Sequence, residues 1–208
     1  SAERIAPARF TFINHPFDEG DGRVEDGWRS ERDRLCDELD AEFLFFFPAR
    51  QEWVPGTGYA EKGNDVFFRA FSTLRRQGVA VGVVCCSWGS NVRQSTALVK
   101  ELNCSRYVKW VAPMPNLRFL RMSRAAHCVV DQFLLGAFGG VVFKSMAVGA
   151  PVLTFLDETH VRRVFPEPPP VINCRTEGDI VDQISRYARS LDELAALGAA
   201  GREWIARY

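Results

Sequence analysis

The chain has 208 residues, enough for one domain or one large half of a two-domain enzyme. Apolar residues make up 47% of it, so a substantial core can be buried, and 26 basic residues cancel against 26 acidic ones. That balance argues against a protein that neutralises nucleic-acid phosphates, and no apolar run approaches the roughly 18 residues of a membrane span.

In chain order, residues 11–13 read as an edge strand. Residues 18–42 are rich in Asp, Glu, Arg and Gly, with Trp28 and Leu35 as the few large apolar side chains. They read as a loop followed by a helix over about 30–39, with Ser30 as its cap and Asp33 in its first turn. Phe43–Phe47 is an aromatic run too short for a helix and ended by Pro48, so it reads as a buried strand. Residues 64–77 carry apolar side chains at helical spacing, and Gly78 stops them. Residues 79–86, 107–111, 127–130, 151–155 and 171–173 read as further strands. Helices are expected from residue 90, over 116–122 and over 139–148. Two more, over 177–189 and 191–207, close the chain. The strands are apolar throughout rather than alternating, which predicts an α/β domain: a doubly wound parallel sheet with helices on both faces. Such a sheet binds ligands beyond the carboxyl ends of its strands.

Six cysteines stand at positions 36, 85, 86, 104, 128 and 174, with no C-x-x-C pair and no Cys/His group at zinc spacing. They read as reduced, buried thiols, and the expected location is the cytoplasm. No secretory leader is read at the N-terminus, and Ser1 in place of Met fits a fragment or a processed product.

Three loops carry chemistry. Pro48-Ala49-Arg50 follows the aromatic strand. Residues 59–65 bring Lys62 to the start of the next helix. Two cations and helix N–H groups facing one crevice suit a pyrophosphate, although charged loop residues are commonly no more than solvated. The third loop has glycines at 136, 139 and 140 ahead of a short helix, which Gly149 ends and Pro151 follows. Glycines there let the backbone approach an anion that the helix dipole favours, or serve a tight turn alone.

The string Phe138-Gly139-x-x-x-x-Lys144-Ser145-Met146-Ala147-Val148-Gly149-Ala150-Pro151-Val152 resembles the donor-site signature of the retaining GT-B glycosyltransferases, E-x-F-G-x-x-x-x-E-A-M-A-x-G-x-P-V. Lys62-Gly63 followed by Ala70 is similar to that family's K-G-x-x-x-x-x-x-A element. Residues 48–50 resemble its G-R element, and His15-Pro16 the H-P pair that opens its C-terminal half. The four run in order across nearly the whole chain.

The resemblance implies the Rossmann-like C-terminal half of a GT-B fold. Residues 1–208 would be one nucleotide-sugar-binding domain, with the acceptor domain N-terminal to it and absent from the chain. Arg50 and Lys62 would neutralise the diphosphate as it departs, which is electrostatic stabilisation of developing charge. The amides of Phe138, Gly139, Gly140 and Val141 would hold phosphate or sugar oxygens. Val111, Ala112 and Pro113 would border the base, and Gly89 would line the crevice floor. No metal and no cofactor is expected. The implied partners are a UDP- or GDP-sugar and an acceptor glycan or glycolipid in polysaccharide or glycoconjugate synthesis. Peripheral contact with the inner face of the cell membrane belongs to the same expectation.

Two positions depart from the signature. Its first Glu falls on Gly136. Its second, which accepts from ribose hydroxyls, falls on Lys144, a side chain with donors only. Losing that bond costs roughly 1.5–3 kcal/mol, tenfold or more in affinity. Lys144 would then act as a third cation or mark a worn site. A non-catalytic module for assembly or regulation is therefore the alternative. A sugar-nucleotide epimerase would need acid/base carboxylates near the sugar, which the sequence does not place. Asp131 and Gln132 close the strand before the glycine loop and are candidates to reach bound sugar. His127 reads as a buried, hydrogen-bonded histidine and His160 as a solvated one. Trp204 and Tyr208 read as helix packing.

Overall fold

A computed structural model describes residues 27–56, 61–137 and 139–208. The sheet runs Phe43–Phe47 (β1), Val81–Cys86 (β2), Val108–Val111 (β3), Cys128–Val130 (β4), Val152–Thr154 (β5) and Ile172–Asn173 (β6). Its spatial order is β3-β2-β1-β4-β5-β6, and every pairing is parallel. The helices are Trp28–Leu39 (α1), Asn64–Arg76 (α2), Val92–Glu101 (α3), Asn116–Ala125 (α4), Gly140–Ala147 (α5), Glu158–Val161 (α6), Glu177–Tyr187 (α7) and Leu191–Arg207 (α8). The doubly wound parallel sheet read from the sequence is thus the observed one.

Period-two alternation along β1 divides the core in two. Phe43, Phe45 and Phe47 enter one apolar cluster with α2 residues Phe67, Phe68 and Phe71 and with Ile180 and Ile184 of α7. Leu44 and Phe46 enter the other, with Leu35 of α1, Leu120 of α4 and Met146 of α5. The Phe45 and Phe47 rings meet Phe67 edge-on at centroid distances of 5.2 and 4.9 Å, a favoured aromatic geometry. Helix α8 serves both clusters, with Leu194 in the first and Trp204 in the second. Trp204 packs on Phe165 and Tyr208, as read from the sequence.

Several boundaries shift for local reasons. Helix α1 starts two residues before the expected Ser30, because Gly27, at φ 112°, provides the N-cap. The Ser30 hydroxyl donates to the Gly27 carbonyl and caps nothing. Helix α6 was not anticipated; Asp157 caps it by accepting from the Thr159 amide. The edge strand expected at 11–13 and the His15-Pro16 pair lie outside the described residues. No described helix is long and apolar enough to cross a membrane.

The connection from β3 through α4 returns the chain to β4, beside β1, so the direction of winding reverses between β1 and β4. Loops leaving the carboxyl ends of these two strands diverge to opposite sides, which opens a crevice between them. Residues 48–50 leave β1 there, and Asp131 and Gln132 leave β4.

Candidate functional site

The β1 side of the crevice is built by buried polar side chains. Asn64, fully buried at the start of α2, accepts from the Glu52 amide at 2.9 Å and donates to the Arg50 carbonyl at 3.0 Å. Asn91 accepts from the Trp53 and Val54 amides at 2.8 and 3.0 Å. Gln51 accepts from the Ser95 hydroxyl at 2.8 Å, and the Trp88 indole donates to the Pro48 carbonyl at 2.7 Å. These bonds satisfy loop amides that burial would otherwise leave unpaired. They fix the direction in which the chain carries Arg50.

Lys62 stands between the two sides. Its amide donates to the Glu52 carbonyl at 2.5 Å, and its carbonyl accepts from the Phe133 amide at 2.8 Å. The next residue, Gly63, has φ 66°, and a Cβ there would lie 3.0 Å from Leu134. Lys62 Nζ lies 3.0 Å from Oδ1 of Asp131, so Lys62 is joined by backbone and side chain to the loop that leads into α5.

Each expected cation faces a buried carboxylate. Asp131 is 2% exposed and pairs with Lys62. Glu52 is 5% exposed and pairs with Arg50, whose Nη1 lies 3.2 Å from Oε1 and 3.1 Å from Oε2. Oε1 accepts a hydrogen bond from Nη1, whereas Oε2 accepts none among the described residues. The sequence reading treated both cations as free to meet a ligand. The structure instead gives each a carboxylate that a bound anion would have to outcompete or share. Glu52, two residues from Arg50, was not singled out in the sequence; the Lys62–Asp131 pair spans 69 residues and carried no local signal.

On the β4 side, Gln132 is 1% exposed and spends its whole amide on the loop. Its Nε2 donates to the Ala137 and Phe155 carbonyls, and its Oε1 accepts from the Leu134 and Leu135 amides. Gln132 therefore shapes the glycine loop and has no donor or acceptor left for a sugar. Gly136, at φ 65°, approaches Asp157, where an added Cβ would lie 3.0 Å from the Asp157 Cβ. The backbone itself disfavours a glutamate at this position. Gly139 differs: its φ of −134° suits any residue, and a Cβ there would meet nothing within 4 Å. No side chain caps α5, and the Gly140 and Val141 amides have no acceptor among the described residues. An uncapped helix start next to open space can receive an anion. The Phe138 amide lies outside the described residues.

Lys144 sits four residues beyond Gly140, on the same face of α5, half-buried and without an ion pair among the described residues. Gly89, at φ 103°, is in contact with loop backbone: a Cβ there would lie 2.7 Å from the Gln51 nitrogen. Val111, Ala112 and Pro113 leave β3 at the same carboxyl edge, two strands from β1, or roughly 10 Å. The Val111 carbonyl is already taken by the Ser87 amide and hydroxyl.

The remaining candidates lie elsewhere. His127 precedes β4 at the opposite, amino edge of the sheet. Its Nδ1 accepts from the Leu44 amide at 2.9 Å, it stacks on Phe43, and burial lowers its pKa to about 4. His160 is solvated beside Asp157. All six cysteines are free, and burial pushes the Cys86 thiol up to about 11, so it is no ready nucleophile. Among the described residues no group of three or more His, Cys, Asp or Glu is placed to hold a metal ion.

No family model matches this sequence, and no curated protein does. Solved structures match its fold. The C-terminal domain of a glycosyl transferase group 1 family protein (LpcC) from Francisella tularensis aligns with a TM-score of 0.66 at 13% identity, over 92% of this chain and 97% of that one. WaaG, a glycosyltransferase involved in lipopolysaccharide biosynthesis, aligns with a TM-score of 0.68 at 14% identity, over 98% of this chain and 54% of that one. A UDP-GlcNAc 2-epimerase from Neisseria meningitidis, bound to UDP-GlcNAc, aligns with a TM-score of 0.54 at 12% identity, over 82% of this chain and 43% of that one. The fold is the Rossmann-like α/β fold of GT-B C-terminal domains. The chain spans nearly all of the first structure, which is itself a single domain, and about half of WaaG.

Proposed function

We propose that this chain is the donor-binding domain of a GT-B glycosyltransferase that takes sugar from a nucleoside diphosphate sugar with retention of configuration. One observation carries the reading. Lys62 is joined to the loop that opens α5 at the switch point of the sheet, where that helix offers uncapped amides beside open space. A diphosphate seated there would receive the Gly140 and Val141 amides, Lys62 and Arg50, with Lys144 as a third cation. Charge developing on the leaving diphosphate would meet donors already fixed in place, the most effective form of electrostatic catalysis. Asp131 and Glu52 keep the two cations extended and oriented while the site is empty. Groups that contact the acceptor glycan or glycolipid would come from a further domain, so this chain alone would bind donor weakly and transfer no sugar. No metal or cofactor enters the proposal.

The test is isothermal titration with UDP, GDP and their sugars. Binding of one of them at micromolar to millimolar concentration, lost in Arg50→Ala, is the expected result. Absence of heat with all of them at millimolar concentration would overturn the proposal.

The pairing of both cations with buried carboxylates favours a second reading, a donor site that no longer works in a module serving assembly or regulation. Lys144→Glu separates the two. A gain in nucleotide affinity indicates a worn ribose contact, and a loss indicates that Lys144 has taken over phosphate binding. An epimerase is disfavoured, because the two buried carboxylates of the crevice are both committed to cations and neither is free to act as a base.

A further inference from the structure

The opposite end of the sheet holds a cavity of about 480 Å³, beneath the strands' amino ends. Its walls come from α1, the end of α4, the turn before β5 and the stretch of α8 from Leu191 to Arg202, and they bring Arg29, Arg32, Arg124 and Arg202 together. Asp192 is the one carboxylate among the lining residues. It lies in the first turn of α8, where the helix dipole already stabilises it.

Several arginines elsewhere in the chain face carboxylates, as Arg50, Arg75, Arg118 and Arg121 do, while others stand singly on the surface; here four converge on one cavity. None of these four takes part in an ion pair among the described residues. Arg32 feels the charge of Asp33, and Arg29, Arg32 and Arg124 approach the Trp28 indole at 4.3, 5.0 and 4.9 Å. Arg32 has a structural task, since its Nε and Nη2 donate to the carbonyls of Arg124, Ala125 and Ala126 that end α4. Among the described residues the Arg124 guanidinium hydrogen-bonds the Gly149 carbonyl alone, at 3.4 Å. The side chains of Arg29 and Arg202 make no hydrogen bond among the described residues. Burial and the charges of Arg202 and Arg29 hold the Arg124 guanidinium below its ordinary range. Like charges converging on a cavity, stabilised by one indole and stray carbonyls, leave a deficit of negative charge that a ligand can supply.

We propose that this cavity binds a phosphoryl group, carried by a small organic phosphate or by a phospholipid headgroup, with Arg29, Arg124 and Arg202 as its ligands. Arg32 holds the wall. Four guanidiniums exceed what one carboxylate can neutralise. A phosphate ester or diphosphate brings about two charges and several acceptor oxygens, which matches the guanidinium fork. The volume falls within the roughly 300–1,000 Å³ of small-ligand sites. The site is separated from the crevice by the length of the strands, roughly 10–20 Å, and does not depend on the donor reading.

The full chain, labelled with ¹⁵N, is titrated with inorganic pyrophosphate while the Trp28 indole N–H resonance is followed; Trp28→Phe assigns it. The Gly140 and Val141 amides report the crevice separately, so either site can fail without the other. Saturable movement of the Trp28 signal is expected, weakened about 100-fold in Arg29→Ala/Arg202→Ala, about tenfold for each charge-assisted contact. Both arginines are exposed, so the double variant is expected to keep the fold, which an unchanged urea midpoint checks. A Trp28 signal that stays fixed at millimolar pyrophosphate, or moves equally in the double variant, overturns the proposal. Sedimentation with vesicles of equimolar phosphatidylcholine and phosphatidic acid then identifies the source. Pelleting that the double variant loses assigns a lipid headgroup, and a Trp28 response without pelleting assigns a free organic phosphate.

Discussion

Replacing Lys62 with methionine separates what the Lys62–Asp131 pair does for stability from what it does for binding. Methionine keeps much of the stem volume and removes the ammonium, leaving Asp131, 2% exposed, without its cation. Breaking a fully buried pair costs about 3–5 kcal/mol. The Lys62 side chain is 16% exposed, so water partly reaches the Asp131 carboxylate and the cost falls to about 2–3 kcal/mol. For a chain of 208 residues this lowers Tm by about 4–12 °C. The double variant Lys62→Met/Asp131→Asn removes the stranded charge and recovers most of that loss. Binding follows another pattern. If Lys62 holds the diphosphate, Lys62→Met and the double variant both lose UDP affinity by about tenfold or more. Asp131→Asn alone binds as well as the parent or better, because the ligand no longer competes with a carboxylate. Urea melts and calorimetric titrations on the four proteins give both patterns. The reasoning is refuted if Lys62→Met binds UDP like the parent, or if Asp131→Asn loses affinity as severely as Lys62→Met.

Other outcomes follow from single positions. Gly139→Ala leaves the urea midpoint nearly unchanged, because its backbone is extended and its Cβ meets nothing, yet it weakens nucleotide binding by filling the space beside the α5 amides. Gly89→Ala does the reverse: φ 103° and a Cβ 2.7 Å from the Gln51 nitrogen destabilise the protein by about 1–3 kcal/mol. Gly136→Glu, which restores the signature glutamate, destabilises by a similar amount and does not raise donor affinity; tighter binding with unchanged stability would contradict the backbone argument. His127, with its pKa lowered from 6.5 to about 4, contributes stability that is fully present above pH 6.5 and is lost as pH falls towards 4. The loss amounts to about 3 kcal/mol, read from urea melts across that range, and His127→Asn flattens the slope.

Much of the fold could be read from local pattern. The run Phe43–Phe47 is a five-residue strand buried on both faces, and α8 spans the residues its periodicity outlined. Chemistry at the ends of elements was less legible. Ser30 has the right side chain for a cap, but Gly27 reaches the left-handed conformation and starts the helix earlier. In the site, Arg50, Lys62 and the glycine loop stood out because two cations and a glycine-opened helix start fall in loops that a parallel sheet brings to one edge. Their ion pairs did not, since Asp131, read as a candidate sugar contact, meets Lys62 only after β4 is laid beside β1. Gln132 looked like a sugar ligand from its position alone; its four bonds to loop backbone are a property of the folded loop. The arginine cavity draws on residues as distant as 29 and 202, which no local window brings together.

The most direct measurement is a crystal structure of the chain grown or soaked with UDP or GDP at millimolar concentration. The account predicts a nucleotide whose diphosphate oxygens lie within hydrogen-bonding distance of Lys62 Nζ and of the Gly140 and Val141 amides. A diphosphate seated only in the arginine cavity at the other end of the sheet, with the crevice empty, would contradict it.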